Sequence, residues 1–137
     1  MTGHVLVNPP ELADPSGFSH AVVAAPGRTV YLAGQTALDQ DGVLRGSTVV
    51  DQFDRAAANL AAALGAAGGQ PEHLVWLQIF VTDVSEYRGS MRELGKVYRR
   101  HFGRHYPATA LFEVSGLFDP AARVELMGIA VVPEEER

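Results

Sequence analysis

The apolar positions change period along the chain, and each change marks an element. Residues 21–24 and 29–33 are short β-like runs flanking Ala25-Pro26-Gly27-Arg28, where Pro-Gly signals a turn. Asp39-Gln40-Asp41-Gly42 signals a second turn, so the first part reads as a meander of antiparallel strands. From Val49 the spacing becomes helical: Val49, Phe53, Ala56, Ala57, Leu60, Leu64 and Ala67 form one apolar stripe, ended by Gly68-Gly69. Its alanine-rich face suits close packing on a sheet and suggests no ligand role. Residues 74–82 are apolar except at Gln78 and read as a strand.

Asp83 can cap a second helix, with Glu86 three residues on as in a capping box. Tyr87, Met91, Leu94, Tyr98, His101 and Phe102 share one face of it. Arg99, Arg100, Arg104 and His105 gather at its end, where positive charge suits the helix dipole, and Pro107 forbids continuation. Two strands follow, residues 110–114 and 123–132. In the last, Val124, Leu126, Gly128, Ala130 and Val132 share one face, and Glu125, Met127, Ile129 and Val131 the other. Both faces are largely apolar, yet two helices can cover only one side of a sheet. A partner subunit is expected on the other, and hence an obligate oligomer. The order β-β-β-α-β-α-β-β predicts an α+β fold, with two helices on one face of a largely antiparallel sheet.

The 137 residues are expected to form one domain, residues 1–137, able to bury about two-thirds of the unfolded surface. Apolar residues make up 47% and charged residues 20%, which argues against disorder. Only residues 8–16, with three prolines, and the acidic tail at 133–137 read as loose. The absence of cysteine excludes disulfides, thiolate metal sites and a cysteine nucleophile. A net charge of −5 without a basic stripe argues against nucleic-acid and anionic-membrane partners. The first residues carry neither a basic region nor a long apolar run. No signal peptide or transmembrane span is expected, and the expected location is the cytoplasm.

Few residues suggest chemistry. His101 and His105 have the spacing of a helical metal pair, but Gly103 lies between them and no nearby carboxylate completes a set, so no metal site is expected. Neither GxSxG, GxGxxG nor a Walker sequence occurs. Glu125 stands near the start of a strand among apolar neighbours. There it must find a partner, reach solvent, or have its pKa raised by desolvation, and the last case suits general acid/base work. Gly34-Gln35, after an apolar run, marks a close backbone approach to a ligand, a strand end or a bulge.

Taken in order, Gly17-Phe18-Ser19-His20-Ala21-Val22, Val30-Tyr31-Leu32-Ala33-Gly34-Gln35 and the helix from Gln52 through Asn59 to Leu64 resemble the Rid (YjgF-like or L-PSP) family. The resemblance continues through residues 75–81, 98–102, Pro107-Ala108, Glu113-Val114, Leu117 and residues 125–130, and spans residues 15–132. It implies a chorismate-mutase-like (bacillary) α+β subunit, assembled as a homotrimer with ligand clefts between subunits. The activity it implies is hydrolysis of reactive enamines and imines derived from amino acids, releasing ammonium and a 2-oxo acid without metal or organic cofactor. In that chemistry an arginine grips the substrate carboxylate, and a buried glutamate with backbone groups positions or activates water.

Carried over one residue at a time, the resemblance places Thr109 where the family's Pro-Ala-Arg-Ser stretch has the arginine. It places Leu111 at a pocket cysteine, Phe18 at a pocket tyrosine and Gly95 at a common asparagine. Gly34 remains as cleft wall and Glu125 as acid/base. A threonine hydroxyl does not replace a guanidinium fork, and losing such a charged contact costs about 2–5 kcal/mol of binding. The cleft is therefore expected to take a less anionic or more apolar ligand, unless Arg28, Arg88 or Arg123 supplies the charge. The reading this favours is a divergent, cofactor-independent enzyme acting on an imine, enamine or related carbonyl metabolite. Its alternative is a non-catalytic small-molecule-binding trimer. A ribonuclease or translation inhibitor agrees least with the acidic charge.

Overall fold

The computed structural model describes residues 2–134; residues 135–137 of the acidic tail lie outside the described residues. The elements are β1 (Val5–Val7), β2 (Ala21–Val23), β3 (Gly27–Gln35), α1 (Val49–Ala66), a 3-10 turn (Pro71–His73), β4 (Leu74–Val81), α2 (Val84–Gly89), α3 (Met91–Phe102), β5 (Ala108–Glu113) and β6 (Val124–Pro133). The main sheet has the order β3-β6-β4-β5, with β4 and β5 parallel and the other neighbours antiparallel. The α+β class and the largely antiparallel sheet agree with the sequence pattern.

Three details differ from it. The opening strands do not form a meander: β2 pairs with β1, a strand the pattern did not single out, and β3 joins the main sheet. His4 ties that small ribbon down, its Nε2–H donating to the carbonyl of Val131 at 2.8 Å while its Nδ1 accepts from the amide of Ala25 at 2.9 Å. The expected second helix is two helices, α2 and α3, because Ser90 breaks it. Ser90 Oγ donates to the carbonyl of Glu86 at 2.9 Å, occupying the acceptor a continuing helix would offer the Ser90 amide, which turns instead to Tyr87. Half of the capping box is also absent. Asp83 accepts from the amide of Glu86 at 3.0 Å, but the Glu86 carboxylate goes to Arg123 at 3.0 Å, a charged partner that the Asp83 amide cannot match.

The turn at Asp39 forms as expected, with its carboxylate accepting from the amides of Asp41 and Val43 and Gly42 at φ 79°. Thr48 caps α1, and Gly68 takes φ 89° after its end. On the inner face Phe53, Ala56, Leu60 and Leu64 of α1 pack against Leu77, Leu126 and Ala130 of the sheet and Leu94 and Val97 of α3. Burying each large side chain is worth about 1.5–3 kcal/mol. Gln52 is buried within this layer and fully satisfied, donating to the carbonyls of Gly46 and Ala121 and accepting from the Arg123 amide.

Among the described residues no helix covers the outer face. Tyr31 is 79% exposed and Phe112 46% exposed there. Met127 and Ile129 are half-buried, and Phe80 stacks on Phe112 with ring centroids 5.9 Å apart. Among the described residues no helix is long and apolar enough to cross a membrane.

Candidate functional site

The six residues singled out from the sequence fall into two groups on opposite faces of the sheet. The first group is Gly34 and Glu125. Val124 and Leu126 point into the core, so Glu125 points outward, opposite Phe80 in the β4–β6 register. Between Leu32 and Gln35 the β3–β6 register shifts, so that Ala33 and Gly34 together face Met127. A bulge of this kind leaves one extra residue of the bulged strand unpaired in the ladder. The Glu125 side chain lies against the Gly34 backbone: a Cβ on Gly34 would collide with its carboxylate. Gly34 thus lies at a bulge, one of the readings the sequence left open, and its close neighbour is the Glu125 side chain. Among the described residues nothing hydrogen-bonds the Glu125 carboxylate, which is half-buried on the outer face.

The second group, Phe18, Gly95, Thr109 and Leu111, lines a cavity of about 690 Å³ between α3, β5 and the segment before β2. That segment is pinned to β5: Ser19 Oγ donates to the carbonyl of Tyr106 at 2.6 Å, the Ser19 amide donates to the carbonyl of Pro107 at 3.1 Å, and Ser19 bridges to Ala108. This holds Phe18 over the cavity mouth. Tyr98 and Tyr106 stack 5.2 Å apart, and the Tyr98 hydroxyl donates to the carbonyl of His105 at 2.7 Å. Burial raises the pKa of Tyr98 above the usual phenol range and pushes that of Tyr87, also at the cavity, up to about 12. Both stay protonated at neutral pH, so the aromatic wall carries no charge.

Thr109 Oγ1 donates to the carbonyl of Pro107 at 2.8 Å. A hydroxyl has one proton, so Thr109 offers the cavity only acceptor lone pairs and a methyl group. The cations at the cavity are Arg92 and Arg99 of α3, which the sequence pattern did not select. Arg28, Arg88 and Arg123 do not line it, and Arg123 is paired with Glu86. The helical repeat contained the signal for the two arginines, since 92, 95 and 99 share one side of a helix, but not which side faced a cavity. His101 and His105 engage different partners, Asp54 at 2.5 Å and the carbonyl of Leu74 at 2.7 Å. Among the described residues no cluster of His, Asp or Glu has the makings of a metal site.

Comparison with known proteins agrees with this architecture. The sequence model of the family described as endoribonuclease L-PSP matches residues 10–132. Protein DfrA of Myxococcus xanthus is 36% identical over 115 residues, covering 83% of this chain and 84% of that protein. A goat (Capra hircus) 2-iminobutanoate/2-iminopropanoate deaminase is 30% identical over 115 residues, covering 83% of this chain and 79% of that protein. Among solved structures, a Rid-family protein of unknown function, YyfB from Yersinia pestis, superposes with a TM-score of 0.85 at 29% identity, covering 96% of this chain and all of that one.

Proposed function

The chain belongs to the endoribonuclease L-PSP (Rid) family, and from that premise we propose that it hydrolyses or tautomerises a reactive imine, enamine or related carbonyl metabolite, with Glu125 as general acid/base. The observation that carries this reading is the Glu125 carboxylate: outward-facing, without a hydrogen-bond partner among the described residues, and resting on the backbone of the Gly34 bulge. Relatives that are imine deaminases support the reaction class.

In the hydrolytic direction, water adds to the imine carbon as Glu125 takes its proton. Glu125 returns that proton to nitrogen to give a carbinolamine, then takes the hydroxyl proton and passes it to the amino nitrogen as the C–N bond breaks, so that ammonia leaves behind a carbonyl product. The backbone groups that a bulge at Ala33 and Gly34 leaves unpaired are suited to hold the water.

Glu125 and the aromatic cavity lie on opposite faces of one sheet, so one chain does not bring them together. We infer a homotrimer in which the outer face of one subunit closes on the cavity side of the next. The uncovered apolar surface around Tyr31, Ile129 and Phe112 supports this assembly. The same cleft without turnover, a binding module, is favoured by one observation: the Thr109 hydroxyl is already committed to its own strand.

Ammonium release decides between the two readings. Imines generated in situ by an amino-acid oxidase from alanine, leucine and phenylalanine are offered to the protein. Release above the spontaneous rate, larger for the leucine and phenylalanine imines than for the small one, is expected of the enzyme. Binding without acceleration for every imine leaves the binding module.

A further inference from the structure

We propose that Arg99, assisted by Arg92, forms a carboxylate-binding site over Gly95, and that the aromatic cavity beneath selects carboxylates with an aromatic or branched apolar body. This inference rests on reading the cavity as the ligand site.

The charge distribution comes first. The chain carries a net charge of −5, yet among the described residues no carboxylate lines this cavity and two guanidiniums do. Among the described residues Arg45 pairs with Asp39, Arg100 with Asp54 and Arg123 with Glu86, whereas Arg28, Arg55, Arg88, Lys96 and Arg104, like the two at the cavity, Arg92 and Arg99, have no carboxylate within 4 Å. The two guanidiniums of α3 that have no acidic partner therefore both line the aromatic cavity.

Helix geometry brings them to one point. Arg92 lies three residues before Gly95 and Arg99 four residues after it, the two spacings that place side chains on a common face. Gly95 leaves that point bare, and the Arg99 guanidinium lies across it: a Cβ on Gly95 would sit 3.3 Å from Arg99 Nη1. A glycine inside a helix costs about 1 kcal/mol against alanine. Here that cost clears the floor on which the guanidinium rests.

The rest of the lining defines the ligand. Thr109 donates its proton to Pro107 and has none for an anion. Apart from Ser16 and the glycines, the remaining side chains, including Phe18, Tyr98, Tyr106, Leu111 and Ile79, are aromatic or aliphatic. A volume of about 690 Å³ suits a body larger than a methyl or ethyl side chain. A planar fork matches a carboxylate in a bidentate pair.

Phenylpyruvate, a carboxylate with an aromatic body, is the probe, and phenylacetone its uncharged counterpart. Titration calorimetry on the intact protein should show phenylpyruvate binding that weakens with added salt. Arg99→Gln should weaken it by about tenfold or more, with a smaller loss for Arg92→Gln. Arg88→Gln, away from the cavity, should leave it unchanged, and phenylacetone should bind wild type and Arg99→Gln alike. The proposal is overturned if phenylpyruvate does not bind at millimolar concentration, if it binds no tighter than phenylacetone, or if Arg99→Gln changes its affinity by less than about twofold. The readout is binding alone. A protein that binds phenylpyruvate through Arg99 but releases no ammonium keeps this inference and loses the hydrolytic one.

Discussion

Gly34 and Glu125 touch across the β3–β6 bulge: a Cβ at residue 34 would stand 2.8 Å from the Glu125 carboxyl carbon, closer than side chains approach one another. Only a residue without a side chain leaves the carboxylate where it is. The same bulge that makes room for it places an extra residue of β3, of the kind a bulge leaves unpaired, beside it. A carboxylate held beside such a residue on a rigid strand is what activation of a water requires.

Gly34→Ala tests that contact. The added methyl must push the carboxylate aside, and overpacking of this kind costs about 1–3 kcal/mol. Ammonium release should fall by about tenfold or more, while the far-UV spectrum and the assembly persist. Unchanged turnover would mean that the position of Glu125 is not critical.

The uncovered outer face predicts assembly. Light scattering coupled to gel filtration should give about 44 kDa, three times the 14.7 kDa chain. Ile129→Asp, placing a charge in the middle of β6 on that face, should dissociate it. A wild-type chain that stays monomeric at micromolar concentration would remove both the trimer and the cleft between subunits.

Gly95→Ala should divide stability from binding. The helix gains about 1 kcal/mol from alanine propensity, read as a raised Tm. The new methyl, 3.3 Å from Arg99 Nη1, displaces the guanidinium and weakens phenylpyruvate binding. A variant that is more stable and binds equally well would show that the bare floor at residue 95 does not matter.

The buried phenols set an alkaline limit. Tyrosine in the unfolded chain ionises near pH 10, whereas burial holds Tyr87 to about 12 and raises Tyr98 as well. Between those values the unfolded chain binds fewer protons than the folded one, so stability falls as pH rises from 10. Tyrosinate absorbance should show Tyr87 and Tyr98 ionising above pH 10, and only as the fold is lost. Titration of Tyr87 and Tyr98 near pH 10 without unfolding would contradict their burial.

Local signals were legible in the chain. Gly68 stops α1, Asp83 caps α2, and the alternation from Val124 to Val132 places Glu125 on the uncovered face, whereas α3 ends at Gly103, with φ 64°, before Pro107 is reached. Signals that depend on a distant partner were not. Val5–Val7 is a strand because residues 21–23 pair with it, and Glu86 leaves its capping box because Arg123, far along the chain, attracts it. Ser90 breaks a helix that its apolar spacing continues, through one side-chain hydrogen bond. Likewise Phe18, Thr109 and Leu111 could be chosen by position, but Arg92 and Arg99 became visible only once the face of α3 that meets the cavity was known.

The most direct test is the rate of ammonium release by Glu125→Gln on the imine that wild type hydrolyses fastest. Glutamine keeps the size and hydrogen-bonding reach of the side chain but cannot take a proton from water. A general acid/base contributes about 10²–10⁴-fold, so the rate should drop by that order while light scattering still reports the wild-type assembly. A Glu125→Gln protein that is intact and fully active would contradict acid/base chemistry at Glu125.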